Sequence, residues 1–148
     1  MVDEAQEKTD FEANVQTIVG PALARHGFTL DEIKATDEGG RTGVAVFYRN
    51  PACKLQVYWS AREREINCMM APLDAPNEHG LYDTSRSWHY LNDFVPVPDI
   101  PLEELVKQLR AERSNFDSET KWLAWIAMRI DRFYESALAG IRQLNASE

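Results

Sequence analysis

Residues 43–73, GVAVFYRNPACKLQVYWSAREREINCMMAPL, constrain the fold more than any other stretch of the chain. Apolar and β-branched residues alternate through Val44–Tyr48, Cys53–Ser60 and Glu65–Ala71. Between these runs lie Arg49-Asn50-Pro51-Ala52 and Ala61–Arg64. Runs of that length and period read as strands, and connections this short join them as antiparallel hairpins. Pairing Tyr48 with Cys53 sets Val46 opposite Leu55 and Val44 opposite Val57. Pairing Ala61 with Arg64 sets Trp59 opposite Ile66, Val57 opposite Cys68 and Leu55 opposite Met70. Side chains alternate between faces. One face therefore collects Val44, Val46, Tyr48, Cys53, Leu55, Val57, Trp59, Ile66, Cys68 and Met70. A one-residue slip in either hairpin would turn a whole strand over, so the two hairpins support each other.

The opposite face carries Ala45, Phe47, Lys54, Gln56, Tyr58, Asn67 and Met69. An antiparallel sheet often leaves one face in water. Phe47, Tyr58 and Met69 are then expected to form a small apolar patch on it. Scattered exposed apolar residues are the ordinary explanation, and a site for a partner or a second subunit is the functional one. The same register separates Cys53 from Cys68 by roughly 13 Å along the sheet, beyond the reach of a disulfide. Two free, buried thiols are expected.

Upstream, Thr9-x-x-Glu12 has the form of a capping box. Phe11, Val15, Ile18, Val19, Ala22 and Leu23 follow at helical spacing. Gly20-Pro21 predicts a kink or a break, and Arg25-His26-Gly27 a C-terminal cap. Phe28–Thr36 reads as a strand with either Phe28 and Leu30 or Ile33 and Ala35 facing the core, and Asp37-Glu38-Gly39-Gly40 as a turn. Downstream, residues 74–98 are the least regular part, with Thr84–Asp93 a short helix or a further strand and Val95-Pro96-Val97-Pro98 extended. Two helices finish the chain, about Pro101–Arg113 and Glu119–Leu144, with Asp117 or Ser118 as the N-cap of the second. Their apolar stripes are Leu102, Leu105, Val106 and Leu109, and Trp122, Trp125, Ile126, Ile130, Phe133, Ala137, Ile141 and Leu144. The expected fold is α+β: a four-stranded antiparallel meander with an N-terminal helix and two C-terminal helices packed on one face. Residues 1–8 are expected to be a polar, disordered tail and 9–148 a single domain.

The net charge of −8 argues against nucleic acid as a partner, and the one positively charged block is the sheet region. No apolar run reaches membrane-spanning length. The N-terminus lacks the basic start and apolar stretch of a secretory signal, so a cytoplasmic setting is expected. No metal or cofactor motif is present, and no cofactor is expected.

Chemistry would be sought in residues 74–98. His79, Arg86, His89, Tyr90 and Asp93 bring acids, bases and a cation into one segment, and a carboxylate can orient a histidine for proton transfer. Their spacing fits no catalytic arrangement, and such residues are common in polar loops. Trp88 is either a plug for the core or a surface anchor of the kind enriched at binding hot spots. The alternating charges of Arg62-Glu63-Arg64-Glu65 solubilise a hairpin tip.

The outline of one helix, an antiparallel meander and C-terminal helices is similar to that of many small bacterial proteins, among them immunity proteins that neutralise toxins and acidic secretion chaperones. The resemblance covers most of the chain as an outline and implies a non-enzymatic module that binds another protein. It assigns no residue a role. The expected contact residues are Phe47, Tyr58, Met69 and Trp88, with a basic protein as partner or a homodimer through the outer face or a sheet edge. The alternative is a small-molecule-binding protein or enzyme with its site in the loop 74–98.

Overall fold

In the computed structural model, which describes residues 10–95, 99–113 and 116–146, the central strands lie where their alternation predicts. The sheet has five strands rather than four, all antiparallel and in chain order: β1 Thr29–Asp37, β2 Thr42–Arg49, β3 Lys54–Ser60, β4 Glu65–Ala71 and β5 His89–Tyr90. β5 is two residues long, too short to show any period in the sequence.

The β3–β4 register is the expected one, with Trp59 opposite Ile66, Val57 opposite Cys68 and Leu55 opposite Met70. The β2–β3 register differs from the expected pairing by two residues: Tyr48 faces Leu55, Val46 faces Val57 and Val44 faces Trp59. The cause is the turn. Asn50 sits at its start with its N–H donating to Cys53 O at 3.0 Å, while its Oδ1 accepts from the N–H groups of Ala52 and Cys53 at 2.8 Å each. That arrangement holds Cys53 in the turn. A shift of two preserves which face each side chain takes. All ten residues of the expected inner face accordingly join one core. Cys53 and Cys68 are free and buried.

β1 realises neither alternative in full: Phe28 and Ile33 reach the core, while Leu30 and Ala35 are exposed. Its ladder with β2 shifts between Leu30 and Glu32. The extra residue of this bulge brings Phe28 and Leu30, on one side of it, to the same face as Ile33 and Ala35 on the other. Leu30 lies 46% exposed at the sheet edge.

Residues 10–25 form helix α1 without a break at Pro21. Val15–Val19 is a π turn, in which the Gly20 N–H reaches back to Val15 O. Widening the helix just before the proline accommodates its ring and its missing N–H. Gly27 (φ +77°) closes α1, with Gly27 N–H bonded to Ala24 O and Phe28 N–H to Leu23 O, the double bond of a Schellman cap. Thr9 of the expected capping box, the tail 1–8 and the prolines of 95–98 lie outside the described residues.

The C-terminal helices are α2, Leu102–Arg113, and α3, Glu119–Ala146. Ser118 caps α3, its Oγ accepting from Lys121 N–H at 3.2 Å. Phe11, Val15, Val19 and Leu23 of α1 and Leu123, Ile126, Ile130, Tyr134 and Ile141 of α3 cover the inner face of the sheet. α2 does not. None of its residues is buried, so the expectation that both C-terminal helices pack on the sheet is corrected. Its apolar stripe exists, with Leu105 half-buried and Leu102, Val106 and Leu109 exposed. Among the described residues no helix is long and apolar enough to cross a membrane.

Candidate functional site

The outer face of the sheet is closed by the chain itself. Ala45, Phe47, Tyr58, Met69 and Ala71 form a second core with Ala75, Trp88 and Leu81. Phe47, Tyr58, Met69 and Trp88 are therefore buried, and the open apolar patch expected there is absent. Trp88 is a plug: its ring meets Phe47 edge-on at 5.7 Å, and its Nε1–H donates to Pro76 O at 2.8 Å. A homodimer through this face would first have to displace the covering segment.

That segment has little regular structure, yet the sheet's polar side chains satisfy much of its backbone. Lys54 Nζ donates to Ala75 O at 2.8 Å and to Asn77 Oδ1 at 3.1 Å. Gln56, fully buried, donates from Nε2 to Glu78 O and accepts at Oε1 from Gly80 N–H, both at 3.0 Å. A buried backbone group without a partner costs about as much as a lost hydrogen bond. Lys54 and Gln56, whose polarity suggested a solvated face, thus allow an irregular strap to be buried. Gly80 is required by proximity, since a Cβ there would collide with Met69 Sδ and come within 3.1 Å of Tyr58 Cε2.

One end of the strap is tied by a carboxylate. Gly39 and Gly40 both take positive φ (69° and 90°), and the β1–β2 turn they form directs Glu38 back against the sheet. Glu38 accepts from Ser60 Oγ at 2.9 Å, Tyr82 Oη at 2.7 Å, Ala61 N–H at 2.6 Å and Arg62 N–H at 3.4 Å. Burial raises its pKa, but the hydrogen bonds from Tyr82, Ser60 and the two backbone N–H groups outweigh it, and the net shift is downward. Beside this knot His79 is 5% exposed, its ring tilted against Tyr58 at 4.4 Å and against Tyr82 at 5.4 Å. Its Nδ1 accepts from Leu81 N–H, and Nε2 lies 3.2 Å from Trp59 O. Those contacts fit a neutral ring with its proton on Nε2. Burial lowers its pKa, against smaller raising effects from the Trp59 carbonyl and Glu38.

The candidate residues of the loop 74–98 are not brought together. Tyr90 pairs with Met69 on the outer side, where its hydroxyl lies 3.2 Å from that of Tyr58. His89 pairs with Met70 on the inner side and meets Phe94 edge-on. His79 and His89 thus belong to opposite faces of the sheet. Arg86 (φ +62°) and Asp93 are exposed in separate turns. Among the described residues no three His, Cys, Asp or Glu side chains converge as metal ligands.

Two features escaped the sequence reading. Glu38 in Asp-Glu-Gly-Gly looks like any solvated turn residue, and no local signal marks its burial. The α2 stripe is visible in the sequence, but an apolar helix face reads there as core. Leu102 is 74% exposed, Leu109 51% and Val106 37%. No protein-family model, characterised protein or solved structure matches this chain.

Proposed function

We propose that this chain is a non-enzymatic module that binds another protein, and that the α2 stripe is its contact surface. The observation that carries the reading is a twelve-residue amphipathic helix that buries none of its residues and exposes Leu102, Val106 and Leu109 together. An apolar helix face laid into a groove is a common mode of protein recognition, read as anchors at i, i+4 and i+7. Fully burying a leucine or valine is worth roughly 1.5–3 kcal/mol. Leu102, Leu109 and Val106 are 74%, 51% and 37% exposed, so burying what remains open supplies roughly 2–5 kcal/mol against the cost of association. α2 itself is charge-balanced, Glu103, Glu104 and Glu112 standing against Lys107, Arg110 and Arg113, so a basic partner is favoured only through long-range attraction to the chain's net charge of −8. Two free buried thiols fit a reducing compartment, so a cytoplasmic setting belongs to the proposal. Among the described residues, the side chains offered for the alternative site in 74–98 are not brought together.

The test is affinity capture from the native cell with the native chain and with a Leu102→Glu/Leu109→Glu variant. Both side chains are exposed, so the variant is expected to keep its circular dichroism and urea midpoint. A captured protein depleted at least ten-fold by the variant is expected. A folded variant that retains every captured protein would overturn the reading, as would a native chain that captures no protein but carries a bound metabolite.

A further inference from the structure

The strap over the outer face, residues 72–88, buries one side chain that can change charge near neutral pH, His79. Its Nδ1 accepts from Leu81 N–H at 3.3 Å, and its Nε2 lies 3.2 Å from Trp59 O. One nitrogen faces a donor and the other an acceptor, so the neutral ring satisfies both. A second proton would go on Nδ1. There it meets the Leu81 N–H head-on and finds no acceptor.

Three titratable groups face the ring: Tyr58 from β3, Tyr82 from the strap and Glu38 from the β1–β2 turn. Burial pushes the Tyr58 phenol up, and the bond to Glu38 raises that of Tyr82, so both stay neutral. Arg62 and Glu63 at the β3–β4 tip act on Tyr82, and the Glu78 carboxylate turns to Thr84 N–H. Glu38 favours an imidazolium through space, but a carboxylate offers about four acceptor positions. Ser60, Tyr82, Ala61 and Arg62 already donate to it. It cannot also accept from His79 without giving up one of them.

The strap can part from the sheet without unfolding it. Around His79 it is fastened by side chains rather than by a strand ladder. Gln56 bonds to both Glu78 O and Gly80 N–H, Tyr82 to Glu38, and Trp88 to Pro76 O. Phe47, Tyr58 and Met69 beneath it are held in β2, β3 and β4 by their own ladders. The inner core takes no residue from the strap. Segments tied by few contacts of this kind open locally, at a lower free energy than the whole domain.

We propose that residues 78–82 are a proton-operated latch: adding a proton to His79 frees them from the sheet as a unit, with β1–β4 still folded, and uncovers Tyr58 and Met69. The latch goes beyond the α2 reading and does not depend on it, because the two lie on different elements.

The test is native-state hydrogen exchange of the full chain between pH 7.5 and 5.5, each amide rate divided by its intrinsic rate at that pH. Glu38, lowered from its ordinary 4.5, stays ionised throughout. The normalised rates of Gly80, Leu81 and Tyr82 are expected to rise roughly ten-fold over this range, as an open-state histidine of pKa about 6.5 implies. Those of the β2–β3 ladder are expected to stay constant. In His79→Gln the rise is expected to vanish while the ladder keeps its protection. The His79 ring signals of the native chain, followed by NMR in the same samples, are expected to shift together with the strap rates, which keeps the test decisive if the variant does not fold. Equal rises in strap and ladder would overturn the proposal, as would a ring that titrates with no change at Gly80. So would a pH slope that survives in His79→Gln.

Discussion

Replacing Glu38 by alanine tests whether the strap over the outer face is held by a buried carboxylate. The substitution removes the acceptor for four donors. They do not count equally. Tyr82 is 37% exposed and its hydroxyl can return to water, and the Arg62 contact at 3.4 Å is weak. Ser60 is fully buried, and the Ala61 N–H lies at 2.6 Å. Leaving a buried donor unsatisfied costs roughly 1–3 kcal/mol. The two together give about 2–4 kcal/mol, since the carboxylate's own desolvation is relieved. For a chain of this size each kcal/mol lowers Tm by about 2–4 °C, so a fall of roughly 5–15 °C is expected. Glu38→Gln keeps one acceptor oxygen but points an amide at the remaining donors, and should cost about half as much. Tyr82→Phe should cost about 0.5–1 kcal/mol. Its effect should largely disappear in the Glu38→Ala background, because the two share one bond. Urea unfolding of the four variants measures all of this. A Glu38→Ala cost below about 0.5 kcal/mol, or strict additivity with Tyr82→Phe, would mean that the carboxylate does not hold the strap.

Other consequences follow from the same geometry. Gly80→Ala should destabilise by about 1–3 kcal/mol through overpacking against Met69 and Tyr58, and Met69→Ala in the same chain should recover part of the loss, read by urea midpoint. His79 has a folded pKa below its usual 6.5, so its contribution is fully present above that pH and is lost as pH falls below it. The urea midpoint should decline as pH drops from 7.5 to 5.5, and His79→Gln should flatten that slope. Glu38, also lowered from its ordinary 4.5, adds a second loss only in more acid solution. Burial pushes the Cys53 thiol up to about 11 and raises that of Cys68 as well. Neither should react with a thiol reagent at pH 8 in the native protein, and both should react in denaturant.

The inner face was legible because alternation assigns faces by parity alone. The β2–β3 register was missed by two residues and cost nothing in that assignment, since Asn50 lengthens the turn without changing parity. β1 looked ambiguous because two half-strands of opposite parity meet at Asp31, and only a bulge reconciles them. The strap 72–88 was illegible for another reason. Its order comes from Lys54, Gln56, Glu38 and Trp88, which are distant in sequence and individually unremarkable. α2 shows the limit of amphipathicity. Leu102, Leu105, Val106 and Leu109 reveal that one helix face is apolar, but not that its cover belongs to the same chain.

If α2 carries the contact surface, its apolar face meets another protein in the cell. A photo-crosslinking amino acid placed at position 109, in the stripe, or at position 107, on the polar side of α2, tests it within one helix in the native cell. A protein adduct is expected from position 109 that is absent or many-fold weaker from position 107. Equal labelling from both positions, or no adduct from position 109, would contradict it.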